Sequence, residues 1–240
     1  MKTKLKPELL DDIKLEHSCV TANASMNRER GLAGTNSYTK ELRFNPLEFL
    51  ENRLKDHEQA IWLDLCCGTG KALAQAAEYF QESGLSERII LQGIDKIPMF
   101  RTIPENMENI RLIPASLRTW TPVGNYDLIT CVHGIHYIGD KLGLIQRAGS
   151  WLKHNGFFIA NLDISDLRLN DNRPMGSQTG KIFRQFGTDY NRTKHILSFS
   201  GKKNIKMPYH YIGADDQAGP NYTGQPAVHS YYRLQADGYH

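Results

Sequence analysis

The stretch Ile61-Trp-Leu-Asp-Leu-Cys-Cys-Gly-Thr-Gly70 decides the fold. Ile61, Trp62, Leu63 and Leu65 form a short apolar run of the kind that is buried on both faces of a parallel sheet. Past the turn, Lys71-Ala-Leu-Ala-Gln-Ala-Ala-Glu-Tyr-Phe80 sets Ala72, Leu73, Ala76, Ala77 and Phe80 on one helical face, so the segment reads as strand, turn and helix. Gly68 and Gly70 lack a Cβ and let a ligand approach the main chain. The helix start adds free N–H groups and partial positive charge. This is the setting of a nucleotide-like cofactor, and spacing narrows which one. A dinucleotide fingerprint needs a glycine where Leu73 stands; a phosphate loop needs a glycine in place of Leu65 and Ser or Thr in place of Ala72.

A strand ending in Asp64 and followed by Cys-Cys-Gly-Thr-Gly resembles the first motif of the class I S-adenosylmethionine-dependent methyltransferases, commonly Asp-x-Gly-x-Gly-x-Gly. Cys66 stands where the first glycine is commonest, one small residue for another. The next apolar run, Ile89-Ile-Leu-Gln-Gly-Ile-Asp95, also closes on an acid, about one βαβ repeat later. Asn109–Leu117, Tyr126–Cys131 and Phe157–Leu162 read as three further strands, with a helix through Leu142, Ile145, Ala148 and Trp151 before the last of them. The resemblance implies an α/β fold: a Rossmann-like three-layer sandwich with a mostly parallel seven-stranded sheet and an antiparallel last strand.

It also implies S-adenosylmethionine as cofactor and a set of contacts to it. Asp64, Cys66, Gly68 and Gly70 form the turn, and Asp95, followed by Lys96, is the ribose ligand. Ser116 and Leu117 flank the adenine, and Cys131 closes the fourth strand near the methionine half.

Residues 1–58 are expected to form an N-terminal helical cap and residues 59–240 the methyltransferase core with C-terminal strands. In the cap, Asn45-Pro46 with Glu48 reads as a helix start, with Leu47, Leu50 and Leu54 on one side. Upstream, Arg28 and Tyr38 have two readings: contacts to substrate or to the methionine carboxylate, or a surface loop with a packed tyrosine.

Residues 163–192 read as polar and turn-rich. Ile205–Ile212 alternates and carries Pro208, the mark of an edge strand or bulge, and Val228–Leu234 reads as the last, antiparallel strand. The loop between them, residues 213–226, is long for a hairpin. Its Asp215, Asp216 and Tyr222 either border the acceptor pocket or belong to a solvated turn whose Asp and Asn side chains bond their own backbone.

With 240 residues the chain is long enough for one full core. The net charge of +3 is spread without a basic stripe, which argues against nucleic acid as the partner. No run of apolar residues is long enough for a membrane span, and Met1-Lys-Thr-Lys-Leu-Lys is no signal peptide, so a cytoplasmic protein is expected. Cys19, Cys66, Cys67 and Cys131 lack metal-ligand spacing and no metal is expected. No pattern indicates an oligomeric state.

Methyl transfer from a sulfonium needs positioning above all, with a base where the acceptor is a hydroxyl or a protonated amine. His133 and His136 follow the fourth strand on the methyl side and are the candidate catalytic residues. The Asn/Asp-Pro-Pro-aromatic motif of nucleic-acid amino methyltransferases is missing where Cys131-Val-His-Gly134 stands, as are a Pro-Cys pair and paired glutamates. The expectation is an O- or N-methyltransferase acting on a small-molecule acceptor. The alternatives are a methyltransferase acting on a peptide or RNA, a non-catalytic cofactor-binding partner, and an aminopropyltransferase.

Overall fold

The computed structural model describes residues 7–22 and 29–235; Arg28 lies outside them. Among the described residues four helices precede the first strand: α1 (Asp12–Glu16), α2 (Cys19–Ala22), α3 (Tyr38–Leu42) and α4 (Pro46–Asp56). Asn45 caps α4 by accepting from the Leu47 N–H, with Pro46 at the first helical position. Ser37 caps α3 through the Lys40 N–H. Then follow β1 (Ala60–Leu65), α5 (Lys71–Glu82), β2 (Ile89–Asp95), β3 (Ile110–Pro114), β4 (Tyr126–Cys131), α6 (Lys141–Trp151) and β5 (Leu152–Asn161). The chain finishes with β6 (Leu167–Leu169), α7 (Gly176–Gln185), β7 (Asp189–Asn191), β8 (Ile196–Ser200), β9 (Tyr209–Asp215) and β10 (His229–Leu234).

Seven strands make one sheet in the order β3-β2-β1-β4-β5-β8-β7. The first five are parallel, and β8 runs antiparallel to both β5 and β7. Period-two alternation sends the two sides of β1 into different cores. Ala60 and Trp62 pack with Leu50, Leu54 and Phe80 of α4 and α5, whereas Leu63 and Leu65 pack with Leu142, Ile145 and Phe183 of α6 and α7. This is the expected three-layer sandwich.

Two expectations about its far end need correction. Residues 163–192 are not only turns, for they hold β6, α7 and β7. Val228–Leu234 is antiparallel to β9 but lies outside the main sheet, in a second sheet of order β6-β10-β9. The antiparallel strand of the main sheet is β8. Alternation marks a strand but not its partner, and a Tyr-rich strand fits either sheet.

The second sheet docks on the start of α6 through a buried lysine. Lys141 Nζ donates to the carbonyls of Ile138 (2.9 Å) and Val228 (2.6 Å) and to Ser230 Oγ (3.0 Å). All three ammonium protons thus find acceptors, and burial lowers its pKa to about 8. At the opposite edge, Leu10 exchanges both backbone hydrogen bonds with Ala214 of β9, so the N-terminal segment extends this sheet. Among the described residues no helix is long and apolar enough to cross a membrane.

The turn after β1 is sterically tight. Cys66 has φ 57°, in the left-handed region that favours glycine. A Cβ on Gly134, in the loop after β4, would lie 2.2 Å from the Cys66 Cβ. Gly134→Ala is therefore expected to destabilise the protein by about 1–3 kcal/mol, and Cys66→Gly in the same chain to recover most of that loss. Urea unfolding of the single and double variants checks the pair; additive losses would show that the two positions do not share the space.

Candidate active site

A cleft of about 750 Å³ opens at the carboxyl ends of β1, β2 and β4, within the usual size for a small-molecule site. Cys66, Cys67 and Gly68 line it from the turn, Asp95, Lys96 and Ile97 from the end of β2, and Ala115, Ser116 and Leu117 from the end of β3. His133 and Gly134 face them from the end of β4. Glu16 of α1, Tyr38 and Glu41 of α3, and Tyr222, Thr223 and Gln225 of the loop between β9 and β10 complete the lining.

Asp95 is held rigidly at the edge of the cleft. One carboxylate oxygen accepts the Gly68 N–H and the other the Ile97 N–H, both at 2.9 Å. Lys96 and Ser116 also line the cleft, but their donors are engaged by the N-terminal segment. Lys96 Nζ donates to the Glu16 carbonyl, and Ser116 Oγ to the Glu16 carboxylate. Ile97, Ala115 and Leu117 add apolar edges at the same end of the cleft.

Asp64, Gly70 and Cys131 do not line the cleft. Gly70 caps α5 with φ 77°, and a Cβ there would press into Leu112. Asp64 is fully buried beneath the turn, where it accepts from Tyr38 Oη (2.5 Å) and Thr130 Oγ1 (2.6 Å). Thr130 in turn accepts from Trp62 Nε1 at 2.8 Å. Burial raises the Asp64 pKa to about 7, against the pull of its two hydroxyl donors. Tyr38, the candidate for a methionine or substrate contact, thus spends its hydroxyl on Asp64 while its body reaches the cleft.

The strongest chemistry lies at His133. It occupies the left-handed region, with φ 58°, so that it and Cys66 are two non-glycine residues at positive φ that both line the cleft; strain of this kind concentrates at functional sites. Its Nε2 lies 3.0 Å from Glu41 Oε2. Because a carboxylate only accepts, the proton of the neutral ring is assigned to Nε2, which leaves the Nδ1 lone pair free. That lone pair faces Tyr222 Oη at 3.5 Å. Asn161 fixes the frame: its Oδ1 accepts the His133 N–H and its Nδ2 donates to the Glu41 carbonyl, each at 3.3 Å. Burial, then the charge of Arg30 and His136, lowers the His133 pKa to about 4, opposed by Glu41.

His136 lies below the cleft and does not line it. Its ring is buried 3.6 Å from Asp166, and burial lowers its pKa. Asp215 and Asp216 do not line the cleft either. Asp215 accepts from the Gln217 N–H and pairs in register with His229, whereas Tyr222 reaches the cleft from the same loop. The structure thus brings Asp95, Cys66, Gly68, Lys96, Ser116, Leu117, Tyr38, His133 and Tyr222 to one cavity.

Sequence reading missed Glu41, Glu16 and Arg30, all of which line it. Glu41 carried a signal: Ser37 is a helix-capping residue, and Tyr38 and Glu41 three apart share a face of the helix it opens. Glu16 and Arg30 lie in polar segments without periodicity.

A methyltransferase-domain family model matches residues 37–202 of the chain. Among solved structures, the chain is similar to a coclaurine N-methyltransferase bound to N-methylheliamine and SAH (16% identity over 48% of this chain and 34% of that one, TM-score 0.38). It is also similar to an amino pentose methyltransferase from Micromonospora echinaspora bound to SAM (20% identity, 48% and 47%, TM-score 0.37). A third is a plantazolicin methyltransferase in complex with SAH (16% identity, 52% and 49%, TM-score 0.37). The matches span between a third and a half of those proteins' length. No curated protein sequence matches the chain.

A carboxyl whose folded pKa is raised above its unfolded value stabilises the fold fully below the unfolded pKa, near 4, and loses that contribution as pH rises through the folded value. For Asp64 the window runs up to about 7. Relative to Asp64→Asn, wild-type stability is expected to fall by roughly 1–4 kcal/mol across it. Urea unfolding at a series of pH values checks this; parallel curves for the two proteins would show an ordinary carboxylate at position 64.

Proposed function

Since the chain belongs to the methyltransferase-domain family, we propose that it transfers a methyl group from S-adenosylmethionine to a hydroxyl or amine of a small molecule, with His133 as general base. The observation that carries this reading is the Glu41–His133 pair, which points an unprotonated Nδ1 into the cleft beside the glycine turn.

The residues suit the cofactor. The cleft has the volume for it, the turn at Cys66–Gly68 allows close backbone approach, and Asp95 is placed to accept the ribose hydroxyls. Ile97, Ala115 and Leu117 wall the adenine, and Arg30 is the cation for the methionine carboxylate. When bound, the cofactor supplies a methyl already activated on a sulfonium, so the reaction is a displacement governed by alignment. Glu41 holds the imidazole in the tautomer that can take a proton at Nδ1 and stabilises the imidazolium that results. Thr223 and Gln225 shield that point from water.

Asp95→Ala is expected to weaken S-adenosylmethionine binding by about 1–3 kcal/mol in calorimetry; equal affinity would overturn the ribose assignment. His133→Ala should lower kcat by on the order of 10²–10⁴ at saturating acceptor. A histidine with a depressed pKa is neutral above that value and loses its base function only as pH falls through it. The acid limb of kcat/KM should therefore lie near 4 and not near the ordinary histidine value. Glu41→Gln removes the charge that favours imidazolium, so it should move that limb to lower pH and slow the reaction. A limb unchanged in Glu41→Gln would remove Glu41 from the mechanism.

A further inference from the structure

The partly exposed ring of Tyr222 lies against three imidazoles. It lies flat on His195, with centroids 3.8 Å apart and planes 5° from parallel. It meets His136 edge-on at 5.5 Å and 77°, and it tilts toward His133 at 6.2 Å. Its hydroxyl stands 3.5 Å from the lone pair of His133 Nδ1, the atom read above as the proton acceptor.

The fold of the loop does not need this ring. The turn is closed by the Pro220–Pro226 bridge, by the Asn221 N–H to the Gln225 carbonyl, and by Asn221 Oδ1 accepting from Thr223. Tyr222 also borders a second hollow of about 670 Å³, lined by Ser165, Ser177, Tyr190, Arg192 and His195. Tyr222 thus lines both that hollow and the cleft.

We propose that the acceptor is a phenol whose ring takes the place of Tyr222 between His195 and His136, with its hydroxyl at His133 Nδ1 and the remainder of the molecule in the second hollow. The proposal rests on the methyl-transfer reading above. A flat face on His195 with an edge contact to His136 suits a stacked arene and not an alkyl chain. A phenol ionises at about 10, far below an alkyl alcohol, so its proton is the easier one for a weakly basic imidazole to take. In the reaction the phenolic O–H bond breaks and its proton passes to Nδ1. An oxygen lone pair forms the bond to the methyl carbon, and the electron pair of the breaking carbon–sulfur bond stays on sulfur as a thioether. The positive charge thus moves from sulfonium to imidazolium.

The test presents para-nitrophenol, benzylamine and benzyl alcohol with S-adenosylmethionine to the wild type, Tyr222→Ala, Tyr222→Phe and His195→Ala, with products read by mass spectrometry. The expected result is O-methylation of para-nitrophenol alone. Tyr222→Ala, which bares the face of His195, should raise kcat/KM at least tenfold, whereas Tyr222→Phe, which keeps it covered, should not. His195→Ala should raise KM several-fold with little change in kcat, a split that a merely structural role would not give. Methylation of benzylamine or benzyl alcohol in preference to the phenol would overturn the proposal, as would no product from any of the three. So would a kcat/KM for para-nitrophenol in Tyr222→Ala no higher than in wild type. Calorimetry of S-adenosylmethionine on each protein separates the two readings: absence of binding to the wild type defeats methyl transfer itself, while binding with the wrong acceptor defeats only the phenol.

Discussion

The structure hangs on a carboxyl that never meets solvent. Asp64 gathers the hydroxyls of Tyr38 and Thr130, and Thr130 gathers the indole of Trp62, so that α3, β1 and β4 are tied at one point beneath the turn after β1. A buried acid is costly unless its oxygens are satisfied, and this one is satisfied only when three separate segments are in register. The return on that cost is position. Tyr38 and Glu41 lie three residues apart on α3, so the bond that seats Tyr38 on Asp64 also places Glu41 against His133.

His133 is set from two sides. Asn161 at the end of β5 clasps both the His133 backbone and the Glu41 carbonyl, and Gly134 allows the loop after β4 to pass against Cys66. The left-handed backbone at Cys66 and at His133 then follows from packing one tight turn against another. The turn after β1 and the loop that carries His133 are thereby a single steric unit, and local strain is borne by the surrounding sheet.

What was legible in the chain was what repeats locally. The apolar runs of β1 to β5, the face of α5 and the acid at the end of β2 follow from periodicity and spacing. The direction of Asp64 did not: a residue at a strand end can point at the ligand or into a core, and only the alternation of Trp62 and Asp64 against α3 decides it. The five residues of α3 are too few to show a period, although Ser37 announces its start. The second sheet was hidden for another reason. It joins Leu10, residues 167–169, 209–215 and 229–234, and its register comes from contacts far apart in sequence. Lys141, the residue that anchors it, reads as an ordinary surface lysine on the start of a helix.

The loop between β9 and β10 hangs from this second sheet and closes on itself, through Pro220, Asn221, Gln225 and Pro226. None of its hydrogen bonds touches Asp64, Thr130 or Trp62. Residues 217–226 can therefore drift under mutation at little expense to folding, while the turn after β1 cannot. Such a division gives the two halves of the cavity different tolerance to substitution: the half formed by the main sheet is constrained by packing, and the half formed by the loop is constrained much less. What lies opposite His133 can change from one descendant to the next while the machinery beneath it stays the same.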